Sequence, residues 1–446
     1  MILCIHHGTH EIGGTCIEVS TKNTKIILDF GMPLTDQLGE DFNESLLKDK
    51  SISSLKSANI LYGIKGLYRG EAPQVDGILI SHSHRDHYGF LKYANPDIPV
   101  YISGGAKKLI DALNLFIHPE GRVNITNCQI VRHRQSFEIG DFKIIPYLVD
   151  HSGFDAMSYH IIDKTSGKSI FYSGDFRANG WKGDLLSRFI ANPPQGVDYL
   201  LMEGTMIERE GGLYADEMAV VKKLKKILES SKNKITLTYA SAQNIDRMVS
   251  FYKAVRKARS LLVIDPYTAY VLYSIQTPRK TIPQADWPDV RVLIADYFGD
   301  RDIYLNKIGN SNPAFLRMMR KAKIKTYELS KLDCKALVLM RNTMIPVISR
   351  IRGIAGSTLV YSQWDGYLKK KTKEAMKFAR FVKKHDLAIE HVHTGGHATI
   401  DTLQQFAHAV VPAGKIIPIH TTSPHKFNTY FGDQVVFLKN GQALEI

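Results

Sequence analysis

Between Met1 and about Gly204 the hydrophobic positions fall in short runs rich in β-branched residues, broken by Gly, Asn and Asp. Thr15–Val19, Lys25–Leu28, Val75–Ile80, Val100–Ile102, Phe142–Val149, Ala156–Ile162, Ser169–Tyr172 and Val197–Met202 read as strands. Ala106–Phe116 spaces its apolar residues as a helix does. Strands and helices mixed at this density predict sheets packed under helices in layers. From about Ala215 to Tyr361 helical periodicity alternates with brief strands, among them Lys234–Tyr239, Leu261–Ile264 and Ala336–Met340, which predicts a separate α/β unit. Polar residues then return at strand ends, in 391–398 and after 416–419. No internal repeat, heptad array or low-complexity tract interrupts this order.

Composition narrows the class. A chain of 446 residues has room for two or three domains, and 44% hydrophobic with 23% charged residues is ordinary for a soluble globular protein. No apolar run nears the length of a membrane-spanning helix, and Met1–Ile5 is too short for a secretion signal, so no membrane is expected and the location expected is the cytoplasm. The four cysteines are scattered without a C-x-x-C pair, against a disulfide framework or a zinc knuckle. A net charge of +14 favours a polyanionic partner, whose local concentration a positive field raises. Lysines crowd two stretches: Lys222, Lys223, Lys225, Lys226, Lys232 and Lys234, then Lys369, Lys370, Lys371, Lys373, Lys377, Arg380, Lys383 and Lys384. Each stretch alone reads as a solvated helix face.

The densest chemistry is Ser81-His82-Ser83-His84-Arg85-Asp86-His87, directly after the apolar run ending at Ile80. Residues two apart on extended chain share a face, so His82 and His84 can grip one ion while the next turn carries Asp86 and His87 toward a second. Imidazole nitrogen and carboxylate oxygen are ligands zinc accepts at roughly 2.0–2.2 Å. Two dications about 3.5–4 Å apart need a bridging anion. Asp175, just past an apolar strand and after Gly174, is the natural bridge. His151 follows a strand in the same way, and the histidines at 397 and 420 are placed to complete the site.

Taken in order, His82–His87, His151, Asp175 and His420, together with Asp29 in Leu28-Asp29-Phe30-Gly31, resemble the metallo-β-lactamase fold, and Gly8–Thr15 resembles the opening hairpin of its ribonuclease J-type members. That resemblance implies an αββα sandwich holding two zinc ions, with manganese as the other candidate. It implies His82, His84 and His151 on the first ion, Asp86, His87 and His420 on the second, Asp175 between them, and Asp29 orienting a ligating imidazole through its free N–H. The inserted α/β unit is similar to the cap domain of the β-CASP branch, whose three further motifs match Glu203, His397 and His420. Domains are therefore expected at 1–210, 211–365 and 366–446, the middle one an inserted β-CASP cap. Gly395 stands where that branch usually has Ser, and Thr421-Thr422-Ser423-Pro424 departs from what usually follows the last histidine. The chain ends shortly afterwards, without the C-terminal domain expected of ribonuclease J.

A histidine in the last motif resembles the RNA-processing members. The expected reaction is phosphodiester hydrolysis of single-stranded RNA, exonucleolytic, endonucleolytic or both, by a hydroxide bridging the metals, with His397 donating a proton to the leaving oxygen and Glu203 positioning it. The bland reading of Glu203 is a charge at a helix N-terminus. Ser362 at a strand end, Trp364, Tyr367 and Lys369 are candidate contacts for phosphate and bases, although such aromatics are often simply packed between domains. The partners expected are single-stranded nucleic acid, RNA ahead of DNA, with a homodimer among the possible states. The competing readings are a DNA nuclease of the same branch, a hydrolase of a small ester, thioester or lactone, and a metal-free RNA-binding scaffold.

Overall fold

The computed structural model describes residues 1–36, 39–209, 214–276, 280–294, 308–309, 312–369, 372–411 and 413–446. It divides into two compact units, Met1–Glu210 with Gly396–Ile446, and Gly211–Gly395. In chain order the first unit opens with β1 (Ile2–His7), β2 (Cys16–Ser20), β3 (Lys25–Phe30), β4 (Gly77–Leu79), β5 (Val100–Ser103) and β6 (Cys128–Val131). It continues with β7 (Phe137–Ile139), β8 (Phe142–Leu148), β9 (Met157–Asp163), β10 (Ser169–Tyr172) and β11 (Tyr199–Glu203). The second unit holds β12 (Ile235–Tyr239), β13 (Leu261–Ile264), β14 (Val290–Leu293), β15 (Lys323–Ile324), β16 (Ala336–Met340), β17 (Thr358–Tyr361) and β18 (Ala388–His391). The returning chain adds β19 (Lys415–Ile419) and β20 (Ala443–Glu445) to the first unit.

The first unit has two sheets, ordered β20-β1-β2-β3-β4-β5-β6 and β19-β11-β10-β9-β8-β7. Their strands alternate side chains between two cores, which is why the central runs read as continuously apolar. In β3, Ile26 and Leu28 enter the core between the sheets, while Ile27 and Phe30 point to the opposite side. In β10, Ile170 and Tyr172 face between the sheets and Phe171 faces away. The helix Gly104–Phe116 covers one outer face through Ala106 and Ile110, and the helix Ile400–Val410 covers the other through Leu403, Phe406 and Val410. The result is a helix, sheet, sheet, helix sandwich.

The second unit is one parallel sheet, ordered β15-β14-β13-β16-β12-β17-β18. Its central strand β16 is buried along its whole length, as a parallel strand covered on both faces must be. Expectation and structure differ at the second domain boundary. Residues 366–395 belong to this unit, because β18 pairs with β17 from Thr358↔Ala388 to Tyr361↔His391 and Phe378 and Phe381 enter the same core as Leu359. The return to the first unit comes at Gly396 instead of 366. The first expected boundary, at 210–211, and the lysines at 370 and 371 lie outside the described residues. Among the described residues no helix is long and apolar enough to cross a membrane.

Candidate metal centre

β4 ends at Leu79, and the chain runs on through a bend at Ser83 to His84, which precedes the one-turn helix Arg85–Tyr88. This segment sets His82 Nε2 2.9 Å from His84 Nδ1, and His151, just beyond β8, brings its Nε2 to 3.1 Å from the same atom. Burial pushes His82 and His151 well below the usual imidazole range and His84 down to about 4. All three are therefore neutral near pH 7, which is the form that ligates metal.

The helical turn swings Asp86 and His87 to the other side. His420, following β19, sets its Nε2 3.4 Å from Asp86 Oδ2, and His87 Nε2 lies 3.7 Å from the same oxygen. Burial alone would raise Asp86, but the His87 and His420 imidazoles outweigh it and hold the carboxyl down at about 2. His420 is fixed in a left-handed conformation (φ 51°) by its N–H bond to Gly8 O at 2.7 Å, while Thr205 Oγ1 holds its Nδ1 at 2.9 Å.

Asp175 sits between the two groups. Its Oδ2 is 3.2 Å from His87 Nε2 and 3.8 Å from His82 Nε2, and its Oδ1 is 3.6 Å from His420 Nδ1. Gly174 makes this possible: it takes φ +56°, and a Cβ there would stand 3.0 Å from the Ser81 Cβ. The donors form overlapping groups, His82–His84–His151, His82–His87–Asp175 and Asp86–His87–His420, with the ligand atoms of each within 4.8 Å of one another. His87 Nε2 and Asp175 Oδ1 are buried here without a hydrogen-bond partner, and buried polar atoms are rarely left so. Converging nitrogen and carboxylate donors, with these two atoms left over, fit a divalent metal.

A third layer orients these groups. Asp29, buried and at φ 55°, accepts from Ser81 N and Oγ at 2.7 Å each, from Tyr172 OH at 2.5 Å and from His87 Nδ1 at 2.7 Å. Beside Asp175, Glu203 at the end of β11 accepts from Phe176 N, Thr205 N and Ala398 N and holds His397 Nδ1 at 3.2 Å. Burial would lower His397, but Glu203 and Asp175 outweigh it and push the imidazole up to about 9. Arg177 and Asp150 form a buried pair, and the Asp150 carbonyl accepts from Arg177 N at 2.7 Å, which ties the backbone next to His151.

The structure thus brings together His82, His84, Asp86, His87, His151, Asp175, Glu203, His397 and His420, with Asp29 behind them. Ser362, Trp364 and Lys369 belong to the second unit. Ser362 is buried, donates its hydroxyl to Val392 O at 2.6 Å and accepts from Arg247, so that hydroxyl is already engaged inside the unit. Trp364 is 40% exposed, and Lys369 pairs with Asp365 at 2.9 Å. Sequence reasoning passed over Ser81, Tyr172, Thr205 and Arg177. Each lies within three positions of a recognised site residue, and that closeness is the signal that was there to use.

A profile of the Beta-lactamase superfamily domain matches residues 62–263. Ribonuclease J of Mycoplasma pneumoniae is 24% identical over 458 residues, covering 98% of this chain and 72% of that enzyme. Ribonuclease J of Sinorhizobium meliloti is 28% identical over 199 residues, covering 42% of this chain and 33% of that enzyme. A probable RNase MJ4 of Methanocaldococcus jannaschii is 27% identical over 240 residues, or 49% of each chain. The chain therefore spans between a third and three quarters of the length of these relatives. A crystal structure of a protein of unknown function from Enterococcus faecalis V583 superposes with a TM-score of 0.78 at 22% identity, covering 99% of both chains, and shares the fold. Fold, donor set and relatives agree: residues 62–263 carry a domain of the β-lactamase superfamily, and the chain is similar to ribonuclease J-type nucleases.

Proposed function

We propose that this protein is a metal-dependent hydrolase, a ribonuclease that cuts phosphodiester bonds of single-stranded RNA. The observation that carries the reading is the position of Asp175 between two sets of histidine and carboxylate donors, with the Glu203–His397 pair alongside. In this reading His82, His84 and His151 would hold one zinc and Asp86, His87 and His420 the other, with Asp175 available to both; manganese suits the same donors. Bound there, the metals would supply an acidified water as nucleophile and positive charge for the phosphoryl oxygens.

The chain's own residues do the rest. Asp29 accepts a hydrogen bond from the Nδ1–H of His87 and so turns Nε2 toward the site. Glu203 accepts a hydrogen bond from the Nδ1–H of His397 and keeps the ring charged, leaving Nε2–H to protonate the departing 3′-oxygen. The charge of +14 draws in a polyanion. The relatives named ribonuclease J make RNA the first substrate to try. Unpaired, scattered cysteines suit a cytoplasmic enzyme.

The test is cleavage of matched 5′-labelled single-stranded RNA and DNA by wild type and by Asp175→Ala. RNA cut in preference to DNA, with activity lost in the variant, supports the reading, and fragment lengths separate exonuclease from endonuclease. DNA cut equally well points to a DNA nuclease of the same branch. No cleavage by metal-loaded protein removes the nuclease reading.

A further inference from the structure

The second unit carries an aromatic surface that its own core does not explain. Trp364 is 40% exposed and Tyr367 is 50% exposed, and their rings meet edge to face with centroids 5.4 Å apart and planes at 82°. The sequence between them holds this pose. Gly366 lies directly under the indole, where a Cβ would run into its Cζ2 and Cη2 atoms, so only glycine lets the ring fold down over the turn. Lys369, two positions after Tyr367, pairs with Asp365 one turn away at 2.9 Å. Leu368 anchors the turn in the same core that Phe378 and Phe381 enter, so the basic helix Lys373–Lys384 is fixed to the same part of the unit. That helix exposes Lys373, Lys377, Arg380, Lys383 and Lys384, and its one carboxylate is Glu374.

We infer that Trp364 and Tyr367 form a stacking platform for the bases of single-stranded RNA, with Lys369 and the helix Lys373–Lys384 holding the adjoining phosphates. Rings exposed to 40% and 50% offer faces on which a nucleobase can stack. The surrounding cations select a polyanion, and the rings select one that carries bases. This inference deepens the ribonuclease reading and rests on it for the choice of RNA.

The experiment uses the full chain carrying Asp175→Ala, so that binding is measured without cleavage. A single-stranded RNA 12-mer and an abasic oligomer with the same number of phosphates are titrated in parallel, read by fluorescence anisotropy of a labelled end. Trp364→Ala and Tyr367→Ala are each expected to weaken binding of the RNA about tenfold while leaving the abasic oligomer unchanged, since stacking acts on bases alone. Trp364→Phe, which keeps a ring, is expected to restore most of the affinity. RNA should also quench part of the tryptophan emission, to which only Trp181, Trp287 and Trp364 contribute, and that quenching should vanish in Trp364→Phe. Equal losses for both oligomers, or no loss for either, would overturn the platform, and so would binding of a protein to this face that survives saturating RNA. Because none of these readings needs turnover, they stand apart from the cleavage assay, whose failure would remove the nuclease reading and leave the platform tested on its own.

Discussion

His397 Nδ1 and Glu203 Oε1 meet at 3.2 Å although 194 positions separate them, and three backbone N–H groups clamp the same carboxylate. A carboxylate so fixed dictates which imidazole nitrogen carries a proton toward it and which is left for other work. Replacing Glu203 by Gln keeps shape and most of the hydrogen bonding but removes the charge that outweighs burial at His397. The expected result is a fall in kcat of about 100-fold with little change in KM, the lower end of what proton transfer contributes. Adding His397→Ala to Glu203→Gln should cost little more, because the two act as one unit. A Glu203→Gln enzyme with wild-type kcat would show that His397 works without its carboxylate.

Asp29 gathers the hydroxyls of Ser81 and Tyr172, the N–H of Ser81 and Nδ1 of His87 onto one buried carboxylate. Its φ of 55° is tolerated by Asp and Asn better than by other residues with a Cβ. Asp29→Asn should therefore fold but hold His87 poorly, with metal affinity down about 10- to 100-fold. Competition against a chromophoric chelator measures it. Asp29→Ala should in addition lower the thermal midpoint, because it strands buried donors. Equal metal affinity in Asp29→Asn and wild type would count against this orienting role.

Gly31 is pressed against the backbone carbonyl of Asp86, where a Cβ has no room. The backbone is also tied across this contact by Thr15 N to Asp86 O at 3.2 Å and Met32 N to Arg85 O at 3.1 Å. Gly31→Ala must push the helical turn outward and carry Asp86 with it. A loss of about 1–3 kcal/mol in urea unfolding is expected, the usual cost of overpacking, together with weaker metal binding. Unchanged stability would mean that the turn gives way freely.

The sequence shows the parts of this site that follow apolar strands. His82 to His87, Asp175 and His420 each come within a few residues of a strand buried on both faces, and such strands announce themselves as apolar runs; His151 follows β8, which is buried mainly on one face yet still largely apolar. Asp29 was legible for the same reason. Ser81, Tyr172 and Thr205 were not, because a hydroxyl inside or just beyond a strand is ordinary until its partner is known, and their partners, Asp29 and His420, are far away in sequence. The misplaced boundary has a similar cause. β18 is an edge strand with two exposed residues, Ala388 and Ile389, and half of the helix before it is charged, so its narrow apolar stripe around Phe378 and Phe381 does not by itself say which unit it packs against. The strand β1 was passed over because its outward positions, among them Cys4 and His6, break the apolar run.

Adding Zn2+ to metal-stripped protein should raise its thermal midpoint, because a ligand that binds only the folded state stabilises it by about 2.7 kcal/mol at 100 times its Kd. The effect should shrink markedly in Asp175→Ala, whose carboxylate lies nearest both donor groups. Calorimetry with and without chelator reads this directly. A midpoint indifferent to metal in the wild type would argue that the donors do not act as a metal site.

Two histidines away from the centre should bend the pH dependence of stability in opposite directions. His160, in β9 against Phe171, is pushed down to about 4 by burial. Between pH 6.5 and 4 the unfolded chain takes up a proton there and the folded chain does not, so stability is lost as pH falls through that window. For His6 burial acts downward as well, but its hydrogen bonds to Cys4 and Glu18 outweigh burial and push it up to about 9. Here the folded chain keeps a proton that the unfolded chain releases, so the contribution is complete below pH 6.5 and lost as pH rises through 9. Urea midpoints of wild type, His160→Leu and His6→Gln from pH 4.5 to 9.5 separate the two. The difference between wild type and His160→Leu should change only on the acid side, and that between wild type and His6→Gln only on the alkaline side. Site residues common to all three proteins cancel in these differences, so a flat difference curve for either histidine would show that its folded and unfolded states bind protons alike.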